Sequence, residues 1–156
     1  MSASPEHSGI GTVGPSGRPL SYSTGQSGLS PTHARNFSCT YLATKASVGI
    51  ARKAAMRTAL AWGFTGEKVD DVCLVVSELV TNSVTAASHG EIRVSLAEDV
   101  SGHITVEVWD GSDEMPQRKP AAPTDLGGRG LWIVGALAVH SGVRQGNGGK
   151  VVYAVL

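Results

Sequence analysis

The spacing of apolar positions divides residues 36–156 into eight segments. Asn36–Leu42 puts Phe37, Cys39 and Tyr41 on one face, the period-two pattern of a half-buried strand. Lys45–Trp62 is Ala-rich and places Val48, Ala51, Ala55, Ala59 and Trp62 at helical spacing, and Gly63 stops it. A second helix opens at Thr65-Gly66-Glu67 and runs from about Val69 to Ser88. Its apolar stripe is Val69, Val72, Val76, Leu79 (or Val80), Ser83 and Ala87. Ile92, Val94 and Leu96 alternate, as do Ile104, Val106 and Val108, which predicts two strands joined by a turn at Glu98–Gly102. Residues 111–127 hold Pro116, Pro120 and Pro123 and show no period. A loop of that length inside a small domain is uncommon and usually functional or mobile. Gly128–Ala138 reads as a third helix. Gly142–Gln145 and Val151–Leu156 read as strands around the hairpin dipeptide Asn147-Gly148. The order β-α-α-β-β-loop-α-β-β, with strands mostly adjacent in sequence and helices grouped, predicts an α+β two-layer sandwich.

Composition separates the first 35 residues from this body. They contain eight Ser, six Gly and four Pro, and their charges are Glu6, Arg18 and Arg35. Such a segment buries too little apolar surface to offset the entropy of ordering it, so residues 1–35 are expected to form a disordered tail. Residues 36–156 are one domain by length. Lys plus Arg and Asp plus Glu are 13 each, so charge gives no footprint for nucleic acid or an anionic membrane. No apolar run approaches a membrane span, and the start of the chain lacks the features of a signal peptide. Cys39 and Cys73 make no disulfide framework. A cytoplasmic protein is the expectation. The five histidines show no ligand spacing with each other or with the cysteines.

Three clusters carry candidate chemistry. In Ser77-Glu78-Leu79-Val80-Thr81-Asn82, the acid and the amide are four apart on an otherwise apolar helix and share a face. An amide oxygen can ligate Mg²⁺, and a nearby carboxylate can activate a hydroxyl. A solvated Glu beside a surface Asn satisfies the same spacing. The second cluster is Asp110-Gly111-Ser112, an acid at a strand end. It can accept a hydrogen bond from an exocyclic amine such as that of adenine, or be an ordinary turn. The third, Gly127-Gly128-Arg129-Gly130-Leu131, opens the third helix. Close backbone approach, free N–H groups and the helix dipole there suit phosphate, and Arg129 can add charge-assisted contacts. Neither a Rossmann fingerprint nor a Walker P-loop fits: Ile133 stands where the former needs glycine, and Arg144 where the latter does.

Taken in order, Glu78-Leu-Val-Thr-Asn82, Asp110 and Gly128-Arg-Gly130-Leu131 resemble the N, G1 and G2 boxes of the GHKL ATPase superfamily. Val75–Asn82, Gly127–Leu131 and the ending Gly148-Gly-Lys-Val-Val-Tyr153 are similar to its small single-domain branch, the anti-sigma factors and serine-protein kinases of the RsbW and SpoIIAB type. The resemblance covers residues 36–156. It implies the Bergerat fold, with ATP and Mg²⁺ as cofactors. Glu78 would be the general base and Asn82 the Mg²⁺ ligand. Asp110 would hold the adenine amine, while Gly128, Arg129, Gly130 and Leu131 would hold phosphate and loop 111–127 would form the ATP lid. It implies a serine kinase acting on an anti-anti-sigma (STAS-type) antagonist and sequestering a sigma factor, with homodimers common. A nucleotide-gated binding module without phosphoryl transfer uses the same pocket. With no phosphoacceptor-helix segment ahead of the body, a full sensor histidine kinase is not expected. Where the box is usually Asp-x-Gly-x-Gly, this chain reads Asp110-Gly111-Ser112-Asp113-Glu114, with Ser112 in the place of a glycine. Lys150 replaces the threonine that often follows the last glycine. Lys150 could reach a phosphate, but a solvated lysine on the hairpin is the expectation.

Overall fold

A computed structural model of the chain describes residues 35–113 and 129–156. Within them, five strands and three helices follow the predicted order: β1 Arg35–Leu42, α1 Lys45–Ala61, α2 Glu67–Ala86, β2 Glu91–Glu98, β3 Ile104–Asp110, α3 Gly130–Leu137, β4 His140–Gly146 and β5 Gly149–Val155. The strands form one antiparallel sheet in the order β1-β2-β3-β5-β4. The helices pack against it as an α+β sandwich, as the periodicity predicts.

Alternation decides which side of the sheet is covered. On β2 and β3 the residues Ile92, Val94, Leu96, Ile104, Val106 and Val108 are all essentially buried. Their register, Val94 opposite Val108 and Leu96 opposite Val106, stacks β-branched and aliphatic pairs on one face. α2 supplies the opposing layer through Val69, Val72, Val75, Val76, Leu79, Val80 and Ser83. Val75 lies outside the single stripe read from the sequence. α2 packs on α1, α3 and the sheet together, so its buried surface is wider than one helical stripe. α1 fits against it through Ser47, Ala51, Ala55 and Ala59, whose small side chains let the two helices approach closely.

The boundaries shift by a few residues. β1 begins at Arg35, whose Nε donates to Glu98 Oε2 at 2.5 Å. α2 ends at Ala86 rather than Ser88, and β4 extends from His140 to Gly146. The Asn147-Gly148 turn forms as expected, with φ of +31° and +71°. β5 starts at Gly149, two residues before the predicted strand, with consequences for the site. The expected tail, apart from Arg35, lies outside the described residues. So do most of loop 111–127 and Gly128.

Because β5 enters between β3 and β4, the last strand of the chain lies beside the strand that ends on Asp110. That insertion builds the site.

Candidate functional site

Glu78 and Asn82 lie one turn apart in the middle of α2, both half-buried. The Glu78 carboxylate lies directly against Gly130, the first residue of α3. A β-carbon at position 130 would meet Glu78 Oε2, so a larger residue there would push the carboxylate aside. Arg129 occupies the N-cap of α3 and gives it no side-chain cap bond. Among the described residues the first bond closing the helix runs from Ile133 N–H to the Arg129 carbonyl, and the Gly130 and Leu131 N–H groups at its positive end have no intrahelical acceptor there. The structure thus brings Glu78 and Gly130 into contact across 52 residues of sequence. Leu131 turns inward against the core, and Arg129 is exposed.

Asp110 closes β3 and is fully buried. Its Oδ1 accepts the Ser112 N–H at 3.0 Å, the bond of a carboxylate capping its own turn. Oδ2 is buried with no hydrogen-bond partner among the described residues, and so is Asn82 Nδ2. A buried polar atom left unpaired costs about 1–3 kcal/mol. Buried unpaired groups are rare enough in folded proteins that each calls for a specific reason. Asn82 Nδ2 and Ser83 Oγ lie on the helix, and Asp110 Oδ2 and Lys150 Nζ at the strand end. Beyond Asn82, Ala86, Ala87 and Ser88 at the end of α2 join Gly111 and Ser112 in lining an open cleft of about 370 Å³. Glu78 and Ala86 are eight positions apart on α2, about 12 Å of helix. The Glu78–Gly130 contact and the cleft at Ala86 therefore lie at separate places along α2.

Lys150 corrects the sequence reading. It is not solvated on the hairpin: it is 3% exposed, and its Nζ stands 3.2 Å from Asp110 Oδ1. Asp110 and Lys150 face each other in the β3–β5 register. Gly149 makes this approach possible, because a β-carbon there would strike the Asp110 carbonyl. The signal for an inward lysine was present in the sequence. Lys150, Val152 and Ala154 alternate onto the covered face, but only once β5 is started at Gly149 rather than Val151.

Among the described residues no group of three or more His, Cys, Asp or Glu is placed to hold a metal ion. That is no obstacle to Mg²⁺, which keeps several waters and commonly combines one or two protein ligands with substrate phosphates. The Asn82 amide, half-buried and one turn from Glu78, carries a carbonyl oxygen of the kind that ligates Mg²⁺, while its orphaned atom is the donor Nδ2. The N-terminus of α3 is the kind of helix end that takes phosphate oxygens. No described helix is long and apolar enough to cross a membrane.

Comparison with known proteins agrees with this fold. The profile of the histidine kinase-like ATPase domain matches residues 41–156, the whole sandwich apart from most of β1. No curated protein sequence matches the chain significantly. In fold, the chain is similar to the crystal structure of the RsbU and RsbW domains of Rv1364c from Mycobacterium tuberculosis. The TM-score is 0.59 at 21% identity, over 78% of this chain and 32% of that one, so this chain spans about a third of that protein's length. It is also similar to the SiaB–SiaC complex structure from Pseudomonas aeruginosa, with a TM-score of 0.59 at 15% identity, over 77% of this chain and 88% of that one. With motif order, sheet topology and a match over most of its length in agreement, the chain belongs to the histidine kinase-like ATPase domain family, a nucleotide-binding domain of GHKL type.

Proposed function

We propose that this chain is a Mg-ATP-dependent serine-protein kinase of the anti-sigma regulator type. The observation that carries the reading is the contact between the Glu78 carboxylate and Gly130. It sets a proton acceptor against the helix start whose free N–H groups suit phosphate.

Each residue has a task matched to its chemistry. Asp110 Oδ2 accepts the exocyclic amine of adenine at the buried end. Gly130 and Leu131 offer backbone N–H groups to the phosphates, with Arg129 beside them. Asn82 holds Mg²⁺, which supplies charge neutralisation across the phosphate oxygens. Glu78 takes the proton from a serine hydroxyl on the partner. The serine oxygen bonds to the γ-phosphorus as its bond to the β–γ bridging oxygen breaks, and ADP departs. Positioning and charge stabilisation do most of the work in such a transfer. The substrate class is a small anti-anti-sigma antagonist of STAS type, and the state not engaged with it holds a sigma factor.

The test is incubation of the full chain with labelled ATP, Mg²⁺ and purified STAS-type candidates, followed by detection of phosphoserine. Thermal midpoints across an ATP series accompany it, because a ligand of the folded state alone raises the midpoint with concentration. Phosphoserine on one antagonist is the expected result. A midpoint that rises with ATP while no antagonist is phosphorylated assigns the chain instead to nucleotide-gated protein binding. A midpoint indifferent to millimolar Mg-ATP overturns both.

A further inference from the structure

The buried ion pair at the strand end has unused hydrogen-bonding capacity. Lys150 carries three N–H donors, yet it is 3% exposed and its Nζ has no aligned hydrogen bond among the described residues. The nearby carboxylate oxygen, at 3.2 Å, is Oδ1, which already accepts the Ser112 N–H. Oδ2 is left without a partner. A donor and an acceptor, both buried and both unsatisfied, thus lie side by side across the β3–β5 register.

We propose that Lys150 is a base-reading residue. It holds Asp110 through Oδ1, leaves Oδ2 to the adenine amine, and donates a hydrogen bond to the ring nitrogen beside that amine. The inference rests on the ATP-binding reading above and adds to it a specificity determinant. Its chemistry follows from the adenine edge, where the amine donor is flanked on either side by a ring nitrogen acceptor. An acceptor next to a buried ammonium meets such an edge with both valences satisfied. A phosphate role for Lys150 fits less well. The Glu78–Gly130 contact lies two helical turns down α2 from the cleft at Ala86, while Lys150 is pinned at the Asp110 end by strand register.

The decisive experiment measures affinities of ATP, 1-deaza-ATP, 7-deaza-ATP and GTP by calorimetry on the unaltered full chain, then on Lys150→Met. In the unaltered chain, the analogue lacking the nitrogen that Lys150 reads should bind about 10- to 100-fold more weakly than ATP, the worth of one hydrogen bond to a charged group. Which analogue loses affinity identifies that nitrogen. In Lys150→Met, the ratio between ATP and that analogue should fall to about one, as in a double-mutant cycle. ATP bound with no loss for either deaza analogue overturns the proposal, as does a ratio unchanged in Lys150→Met. GTP bound as tightly as ATP also overturns it, because the lysine would then be reading a carbonyl. If the unaltered chain binds no ATP, the functional reading above fails instead. The analogue series needs no variant, so it decides the matter even if Lys150→Met does not fold.

Discussion

Strand β3 has two different ends. At its start, the turn from β2 is held by Asp99, which is solvent-accessible and fully used. Oδ1 accepts the N–H groups of Ser101 and His103 at 2.8 and 3.0 Å, and Oδ2 lies 3.2 Å from His103 Nδ1. At its finish, Asp110 is fully buried, shares one oxygen between Ser112 and Lys150, and leaves the other unpaired. The same residue type is satisfied where water could have helped and unsatisfied where it could not. A folded chain gains nothing from that second arrangement by itself, so the unpaired buried oxygen points to a ligand. The exposed aspartate shapes a turn, and the buried one shapes a site.

That contrast can be tested, beginning with the largest effect. Glu78→Gln keeps the side chain's shape but removes its proton acceptor. Phosphoryl transfer should fall by about 10²- to 10⁴-fold with nucleotide affinity little changed. Asp99→Asn at the start of β3 should leave transfer at the parent rate. Comparable losses in the two variants would erase the distinction between the site and the turn.

Next in size is the stability of the buried pair. Asp110→Ala strands the Lys150 ammonium and should cost about 3–5 kcal/mol in urea unfolding without nucleotide. The double replacement Asp110→Leu with Lys150→Met should recover most of that, because replacing a buried pair by apolar groups is often neutral or better. A double variant as unstable as the single one would mean the charges are not coupled.

Smaller again is the pair on the uncovered face of the sheet, Arg144 Nη2 to Glu107 Oε1 at 2.6 Å, with both side chains about a third exposed. Glu107→Gln should cost about 0.2–1 kcal/mol and lose its effect in high salt. A cost matching that of Asp110→Ala would show that burial does not set the scale here.

The smallest effect belongs to the turn. The backbone N–H of His103, foremost among its partners, holds the Asp99 carboxyl below the usual range. A depressed acid contributes stability above its unfolded value near ~3.9, and that contribution is lost as pH falls through the lower folded value. Melting temperature below about pH 4 should therefore drop slightly more steeply for the parent than for Asp99→Asn. Identical slopes would remove Asp99 from the acid response.

Much of this was legible in the primary structure because it rests on local physics. Period-two alternation located β1, β2 and β3, helical spacing located α1 and α2, and Asn147-Gly148 located the final turn, each within a few residues. Box order along the chain picked out Glu78, Asn82, Asp110 and Gly130. Residue types and spacing could not pair those boxes in space. Contact between Glu78 and Gly130 depends on α3 packing against α2, and nothing near either residue encodes that distance. Lys150 shows the boundary most sharply. Its alternation with Val152 and Ala154 was readable, but a charged residue before an apolar run looks like a strand's solvated edge. Only the insertion of β5 between β3 and β4 sets a carboxylate opposite it. Local sequence thus determined the elements and the candidate chemistry, since helix and strand periods depend on near neighbours. Tertiary structure decided which charges were buried together, since desolvation depends on what covers a residue from elsewhere in the chain.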